Sequence, residues 1–215
     1  SYLKEINIPE EVTSIGNGAF EGCSSLTNIT IPQGVTNIEN YTFNGCSSLD
    51  GINIPEGVIS IGYNAFTGCS SLRSIIIPEG VTNIQDSVFY RCSNLESITI
   101  PETVTSIGDS AFSGCSSLKS VALPESITTI GYNAFHECSN LENITIPEGV
   151  TSIGNDAFYE CTRLKSLSIP EGVMSIGSRL ISSSTIIYVK SNSEGHKYAE
   201  ENKQGYIIDD MAPTV

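Results

Sequence analysis

The residues of this chain that are best suited to chemistry are its seven cysteines, which recur at a constant step of 23 residues. They are Cys23, Cys46, Cys69, Cys92, Cys115, Cys138 and Cys161. Zinc sites need closely spaced ligands such as C-x-x-C, which is absent here. Disulfides need converging side chains, whereas equivalent positions in successive units point in parallel. We therefore expect a buried ladder of reduced thiols, with disulfide formation as the alternative.

Other candidate reactive groups are sparse. His136 and Cys138 lie two residues apart, but no histidine accompanies the other cysteines, and no G-x-S-x-G elbow, phosphate loop or dinucleotide fingerprint occurs. The sequence predicts no catalytic residue, no cofactor and no metal site. One row of carboxylates could attract calcium, yet each unit offers one carboxylate where Ca²⁺ takes about six to eight oxygens, so solvated turn residues are expected. The row is Glu10, Glu56, Glu79, Glu102, Glu125, Glu148 and Glu171.

The same step of 23 residues governs the structural residues. Every phenylalanine precedes a cysteine by three positions, and a proline recurs in every unit. The prolines of this series are Pro9, Pro32, Pro55, Pro78, Pro101, Pro124, Pro147 and Pro170. A period of this length indicates a solenoid, in which stacked units bury one continuous core.

Each unit predicts one strand and one return segment. Leu164, Leu167 and Ile169 form L-x-x-L-x-I with alternating polarity, and Pro170 ends the strand because it has no N–H. Apolar residues at spacings of three and four, from Val150 onward, predict a short helical or irregular convex segment. After a first strand over 3–8, strands are expected near 26–31, 49–54, 72–77, 95–100, 118–123, 141–146 and 164–169. The fold class is thus an α/β repeat with a parallel concave sheet.

The unit I-P-x-x-V-x-x-I-G-x-x-A-F-x-x-C-x-x-L-x-x-I-x resembles the BspA-like (Treponema pallidum type) class of leucine-rich repeats. The resemblance covers about residues 1–180 and implies a leucine-rich repeat solenoid of 23-residue units. Such repeats occur in bacterial surface proteins and in some parasitic protists. The resemblance therefore implies an extracellular or cell-surface protein that adheres to host matrix proteins or to other cells.

The repeats are expected over 1–180 and a C-terminal cap over 181–208. The cap should contain a strand, a short helix from about 194 to 203 with Ser193 as N-cap, and a strand over 206–208. Residues 209–215 resemble a linker or the start of a following domain. Ser1 aligns with Ser24, inside a unit, so we expect the chain to be part of a longer protein. An open N-terminal edge would then allow weak end-to-end association of an otherwise monomeric chain.

Charge restricts the partners. The formal net charge is −14, so nucleic acid and anionic membrane surfaces are disfavoured. The sequence contains no apolar run of about 18 residues, so no insertion into a membrane is expected. An extracellular protein or glycan is the expected ligand.

The candidate ligand-binding surface is the concave face, where the outward side chains are small and polar. A row of alternating charge borders them: Asp50, Arg73, Glu96, Lys119, Glu142 and Lys165. This charge comb supports strand register through cross-strand pairs or, alternatively, binds a ligand. The predicted site residues are Asn28, Thr30, Asn53, Arg73, Ser74, Glu96, Thr99, Lys119, Glu142, Asn143, Thr145 and Lys165.

Larger residues fall on the convex segment, as partial lids over the core or as a second binding surface. They are Tyr41, Tyr63, Tyr90, Tyr132, His136 and Tyr159. The leading hypothesis is a non-enzymatic interaction module. Its alternative is a rigid spacer or scaffold ectodomain that presents another domain.

Overall fold

The computed structural model describes residues 2–210 and forms a parallel β-solenoid. Strand partners lie 23 residues apart, as in Glu5↔Asn28 and Ser74↔Ser97, so one repeat makes one turn of the coil. In chain order the elements are β1 (Glu5–Asn7), β2 (Asn28–Thr30), β3 (Asn37–Ile38), β4 (Ser60–Ile61), β5 (Ser74–Ile76), β6 (Asn83–Ile84), β7 (Ser97–Thr99), β8 (Ser106–Ile107), β9 (Ser120–Val121), β10 (Thr129–Ile130), β11 (Asn143–Ile144), β12 (Ser152–Ile153), β13 (Ser166–Ser168), β14 (Ser175–Ile176), β15 (Ile186–Val189), α1 (Glu194–Glu201) and β16 (Tyr206–Ile208).

The first side of the coil carries the predicted strands, in the groups β1-β2, β5-β7, β9-β11 and β13-β15-β16. The first-side strands from β2 to β13 are shorter than predicted, because a proline without an N–H follows each of them and the leucine before each strand donates its N–H locally. Leu95, for example, donates to the Cys92 carbonyl at 3.0 Å. In the unit over 49–54 only a single bridge forms, between Thr30 and Asn53. Gly51 weakens that strand, since glycine has no side chain to pack.

The second side carries another column of strands, within the stretch for which the sequence predicts a short helical or irregular segment. β6, β8, β10, β12 and β14 form a five-stranded parallel sheet, and β3 pairs with β4. The helical alternative is wrong: residues 2–193 contain no helix. Val150, Ile153 and Ala157 are three and four residues apart, which is also the spacing of one face of a helix. Gly154 and the β-branched residues nevertheless favour strand and turn. Gly154 is also required sterically, since a β-carbon there would lie 2.5 Å from the Tyr132 nitrogen.

The third side consists of turns that are hydrogen-bonded from repeat to repeat. Three N–H groups of each unit donate to the next unit, and the acceptors are carbonyls in all but the last unit: Ser110 donates to Tyr132 at 2.7 Å, Phe112 to Ala134 at 2.8 Å and Gly114 to His136 at 2.8 Å. In the last unit the Glu160 N–H donates to the Ser182 hydroxyl at 3.2 Å. The first and third donors have left-handed backbones, with φ of 55° at Ser110 and 76° at Gly114. The third side therefore also fixes the spacing between repeats.

A stack of phenylalanine rings runs along the core behind the third side. Neighbouring rings from Phe20 to Phe158 have centroids 5.2–5.7 Å apart and planes within 13° of parallel. All but Phe20, which is 8% exposed, are completely buried. Because each ring touches the rings before and after it, the core is continuous along the coil rather than divided by repeat.

The cysteines form the expected buried ladder. All seven are free thiols, and every one except the half-buried Cys23 lies in the core. Each buried sulfur donates to the carbonyl of a phenylalanine in the preceding repeat, as Cys92 does to Phe66 at 3.1 Å. Burial raises the pKa of Cys46, Cys92 and Cys161 to about 12. These thiols therefore stay protonated and act as small apolar residues with one hydrogen bond.

The C-terminal elements close the end of the core. Helix α1 begins at the predicted N-cap, where the Ser193 hydroxyl accepts the His196 N–H at 3.2 Å, and it ends at Glu201, two residues earlier than expected. The Tyr198 hydroxyl accepts the Leu180 N–H at 2.8 Å. Leu180 is the equivalent of Ala134, whose N–H donates to the Gly131 carbonyl of its own unit, so at Leu180 the Tyr198 hydroxyl takes the place of a local acceptor. Tyr198 is only 7% exposed.

The first residues of the predicted linker pack against these elements. The Asp209 N–H donates to the Val189 carbonyl at 2.9 Å, and Asp210 Oδ1 accepts the Ser191 N–H at 2.8 Å. The remainder of the predicted linker, residues 211–215, lies outside the described residues.

Candidate functional site

The first side presents its outward side chains on one surface, which we call the front face. In β2, β5 and β13 the middle residue is buried and both neighbours are exposed. The inward residues Ile29, Ile75 and Leu167 thereby orient the outward ones. The structure exposes every residue that the sequence assigned to this face: Asn28, Thr30, Asn53, Arg73, Ser74, Glu96, Thr99, Lys119, Glu142, Asn143, Thr145 and Lys165.

Strand register brings equivalent front-face residues into rows. Thr30 lies beside Asn53, Ser74 beside Ser97, and Asn143 beside Ser120. Neighbours in such rows are separated by roughly 4.8 Å, the spacing of adjacent strands. A ligand lying along the coil therefore meets a regular series of hydroxyl and amide groups.

The residues of the charge comb are linked to one another by backbone hydrogen bonds and not by ion pairs between their side chains. The Glu96 N–H donates to the Arg73 carbonyl at 2.8 Å, and the Glu142 N–H donates to the Lys119 carbonyl at 2.9 Å. Within the described part of the chain, however, no two comb side chains form an ion pair, and Glu142 pairs with Arg163 at 3.3 Å. The expected cross-strand pairs are absent because exposed pairs gain little against side-chain entropy. The comb's basic side chains thus remain available to a ligand.

The front face also has an apolar component. Ile76 is 67% exposed at the end of β5. Ile186 is exposed and Tyr188 half-exposed on β15, in register with Ser166 and Ser168. The sequence predicts this strand, and the alternation of its outward residues with Ile187 is the signal that could have assigned them to the front face.

The aromatic residues predicted as lids pack largely against one another on the third side. Tyr41 meets Tyr63 edge-on at 5.7 Å, and His136 stacks on Tyr159 at 6.0 Å between centroids. Two guanidinium groups cover tyrosine rings, Arg91 over Tyr90 at 5.1 Å and Arg179 over Tyr159 at 5.4 Å.

One ion pair anchors this surface near its C-terminal end. Arg179 Nε lies 3.0 Å from Asp156 Oδ1, and the carboxylate is only 5% exposed. Arg179 Nη2 also donates to the second carboxylate oxygen at 3.1 Å. The two-point contact fixes the guanidinium that covers Tyr159.

Two kinds of functional feature, a metal-binding cluster and a membrane-spanning helix, are absent from residues 2–210. Residues 2–210 contain no cluster of three histidine, cysteine or acidic side chains placed to hold a metal ion. Their one helix, α1, is too short and too polar to cross a bilayer.

Comparison with known proteins identifies the class. The family profile described as the BspA type leucine rich repeat region, in six copies, matches residues 1–103 and 82–201. The chain therefore belongs to the BspA-type leucine-rich repeat family. No curated protein matches the chain significantly.

Solved structures support the same fold. A leucine-rich repeat protein from Bacteroides ovatus is 35% identical, with a TM-score of 0.78 over 87% of this chain and 55% of that chain. The chain thus spans about half the length of that relative. The T. pallidum leucine rich repeat protein is 28% identical, with a TM-score of 0.70 over 98% of this chain and 87% of that one. A leucine rich cell surface protein from Faecalibacterium prausnitzii is 28% identical, with a TM-score of 0.61 over 87% and 69%.

Proposed function

We propose that this chain is a non-enzymatic, extracellular recognition module that binds host matrix proteins or other cells through its front face. The observation that carries the proposal is the regular display of exposed polar side chains beside unpaired basic ones on a rigid coil. A surface of this kind suits an extended ligand that crosses several repeats, and not a small substrate in a deep pocket.

A surface location is part of the proposal. The F. prausnitzii relative is described as a cell surface protein. The net charge of −14 disfavours nucleic acid as a partner, because phosphate recognition needs a basic surface. An extracellular protein, or a glycan attached to one, is the ligand class that remains compatible with these features.

The test is surface plasmon resonance of the purified chain on immobilised fibronectin, fibrinogen and collagen at low and physiological salt. The double variant Lys119→Ser with Lys165→Ser removes two front-face cations. The matched control, Lys197→Ser with Lys203→Ser, removes two exposed cations from the C-terminal elements. We expect saturable binding that falls several-fold in the front-face variant and is unchanged in the control. Equal binding by both variants would contradict recognition through the comb.

The second candidate is a rigid spacer or scaffold ectodomain, favoured by the uninterrupted phenylalanine stack and the inter-repeat bonds of the third side. A spacer depends on length and stiffness, so it tolerates changes of the front face. A variant with all six comb residues changed to serine should then preserve attachment of cells that carry the full protein. Loss of attachment in that variant would reject the spacer.

A further inference from the structure

The charge comb is complementary to a reversed copy of itself. Its charges alternate from one repeat to the next, all six residues are exposed, and three acids balance three bases. Because the row alternates and is even in number, a second comb that runs in the opposite direction places an acid opposite every base. The facing pairs are then Asp50 with Lys165, Arg73 with Glu142 and Glu96 with Lys119, each formed twice.

One arrangement of two front faces produces these pairs. A twofold axis parallel to the strands, between the repeats of Glu96 and Lys119, lays one front face on the other and keeps comb over comb. The same rotation makes the two coils antiparallel. Successive comb residues lie one strand spacing apart, about 4.8 Å, in both copies, so the match continues along the row. Sliding one copy by a single repeat would bring like charges together, so the comb specifies both orientation and register.

The comb side chains are available for contacts with a second copy. Among residues 2–210 the comb makes one ion pair, between Glu142 and Arg163 at 3.3 Å, and both of these side chains are at least half exposed. An exposed pair of this kind contributes about 0–1 kcal/mol, so Glu142 exchanges Arg163 for the Arg73 of a second copy at little cost.

The rest of the front face permits close approach and gains from being covered. The outward residues beside the comb are small, and Ser97 would face Ser120 next to the twofold axis. Ile76 is 67% exposed on the same face, and the axis places it opposite Thr145 of the second copy. Burying this isoleucine adds an apolar contribution to the charge pairs.

The shape of the face is compatible with this contact. The stacked phenylalanine rings behind the third side are 5.2–5.7 Å apart, whereas neighbouring strands are about 4.7–4.9 Å apart. So small a difference bends the coil little over six repeats. Facing sheets pack about 10 Å apart, and paired long side chains such as lysine and glutamate span that gap.

The contact is small, and a single contact is therefore weak. Six strands of about three residues present on the order of 400 Å² on each copy, half of the roughly 800 Å² per partner of a stable interface. The net charge of −14 adds repulsion, but the comb itself is neutral, and physiological salt screens charges beyond about 8 Å. Many copies on one surface strengthen such a contact through multivalency.

We propose that the front face binds a second copy of this chain, antiparallel and in the register set by the charge comb. This inference rests on the proposed function, because it names the partner of the same surface and makes adhesion to other cells homophilic. Antiparallel coils point their equivalent ends in opposite directions, which is the orientation of two molecules displayed on opposing cells.

The test is sedimentation equilibrium of two charge-reversal variants, Glu96→Lys and Lys119→Glu, alone and mixed, at physiological salt. The unaltered chain should form dimers with Kd on the order of 0.1 mM. Each variant alone brings like charges together beside the axis and should self-associate at least tenfold more weakly. The equimolar mixture restores opposite charges there and should recover the affinity of the unaltered chain.

Matched controls reverse one charge outside the comb. Glu102→Lys and Lys203→Glu change the net charge by the same amounts at exposed positions. They should dimerise like the unaltered chain and gain nothing on mixing. Thermal melting verifies that all four variants are folded. A monomeric unaltered chain at millimolar concentration, equal weakening in the controls, or no recovery in the mixture would overturn the proposal.

The matrix-binding experiment separates this inference from the proposed function. Matrix binding by a chain that stays monomeric would overturn the second copy as partner and leave the proposed function standing. Recovery in the mixture without any matrix binding would support homophilic contact and reject matrix proteins as the ligand. Beads coated with Glu96→Lys should aggregate with beads coated with Lys119→Glu and not with one another, and aggregation of either kind alone would contradict the register.

Discussion

At the scale of single residues, the cysteine of each repeat combines packing with one specific hydrogen bond. Cys69 is fully buried and donates to the Phe43 carbonyl at 3.2 Å. That carbonyl also accepts the Cys46 N–H at 3.0 Å, so the thiol adds a second hydrogen bond to an acceptor that is already paired. Serine would preserve the donor but add polarity, and alanine would lose it, which gives the repeat a physical reason to use a thiol here.

The buried thiols predict a loss of stability in base. Their ordinary pKa is near 9.0, and burial raises that of Cys46, Cys92 and Cys161 to about 12. The unfolded chain therefore releases thiol protons from about pH 9 while the folded chain retains them, so the free energy of unfolding falls as pH rises from about 9 to 12. Urea midpoints between pH 7.5 and 10.5 measure the slope. The Cys92→Ala variant should have a shallower slope, and an equal slope would contradict this cause.

The thiols should also differ in reactivity. Cys23 is half-buried and the other six are buried. In native conditions at pH 8 we expect Ellman's reagent to modify Cys23 rapidly and the others only at the rate of unfolding. Peptide mass mapping after partial modification identifies the reacted thiol, and rapid labelling of Cys138 would contradict the packing.

Backbone conformation at one position of the third side predicts a stabilising change. Glu160 has φ of 63°, at the position where Gly68 and Gly114 stand in other repeats. A non-glycine residue there costs about 1–2 kcal/mol, partly offset by the entropy that glycine loses on folding. Glu160→Gly should raise the free energy of unfolding by roughly 0.5–1 kcal/mol. Glu96→Gly, at an exposed position without a positive φ, should lower it. Urea denaturation compares the two, and a loss in both would reject the argument.

At the scale of elements, α1 and the turn after it cover the end of the coil. The Tyr198 hydroxyl accepts the Leu180 N–H, whereas the equivalent Ala134 donates to Gly131 within its own unit. The Gln204 side-chain amide donates to the carbonyls of Ser182, Ser183 and Thr185. Two polar side chains thus provide hydrogen bonds to backbone groups at the end of the coil.

The capping bond predicts a local effect of Tyr198→Phe. Removing the hydroxyl leaves the Leu180 N–H without its acceptor, at a cost of about 1–3 kcal/mol. We expect faster amide hydrogen exchange at Leu180 and in β15, with little change in the strands before β11. Tyr188→Phe, a half-exposed tyrosine of β15, is the matched control. Unchanged exchange at Leu180 would show that the hydroxyl is dispensable.

The elements differ in how far the sequence could predict them. The strands of the first side and the Ser193 N-cap could be predicted from the sequence, because apolar alternation, proline and capping residues are local signals. The second sheet was not, since Ser152–Ile153 is only two residues long and pairs with Thr129–Ile130 through stacking that no local pattern reports. The outward positions of the front face followed from alternation at residues such as Asn28.

At the scale of the whole molecule, the continuous core governs cooperativity. Phe112, the fifth of the seven stacked rings, has Phe89 at 5.5 Å and Phe135 at 5.2 Å. Phe112→Ala should cost about 3–5 kcal/mol and separate the repeats on either side into two unfolding units. Calorimetry should show two transitions in place of one. Phe20→Ala, at the partly exposed end of the stack, should lower the stability without dividing the transition. A single transition in Phe112→Ala would show that coupling extends beyond nearest neighbours.

Hydrogen bonding on every side of the coil has a genetic consequence. Each repeat donates backbone N–H groups to the following repeat in the same pattern in which it accepts them from the preceding repeat. Ser110, Phe112 and Gly114 are the donors in one such repeat. A duplication or deletion of 23 codons therefore joins two compatible surfaces without compensating mutations elsewhere. The gene can change length in steps of one repeat through recombination between the segments that encode its repeats, and each such event would lengthen or shorten the reach of the protein by roughly one strand spacing, about 4.8 Å.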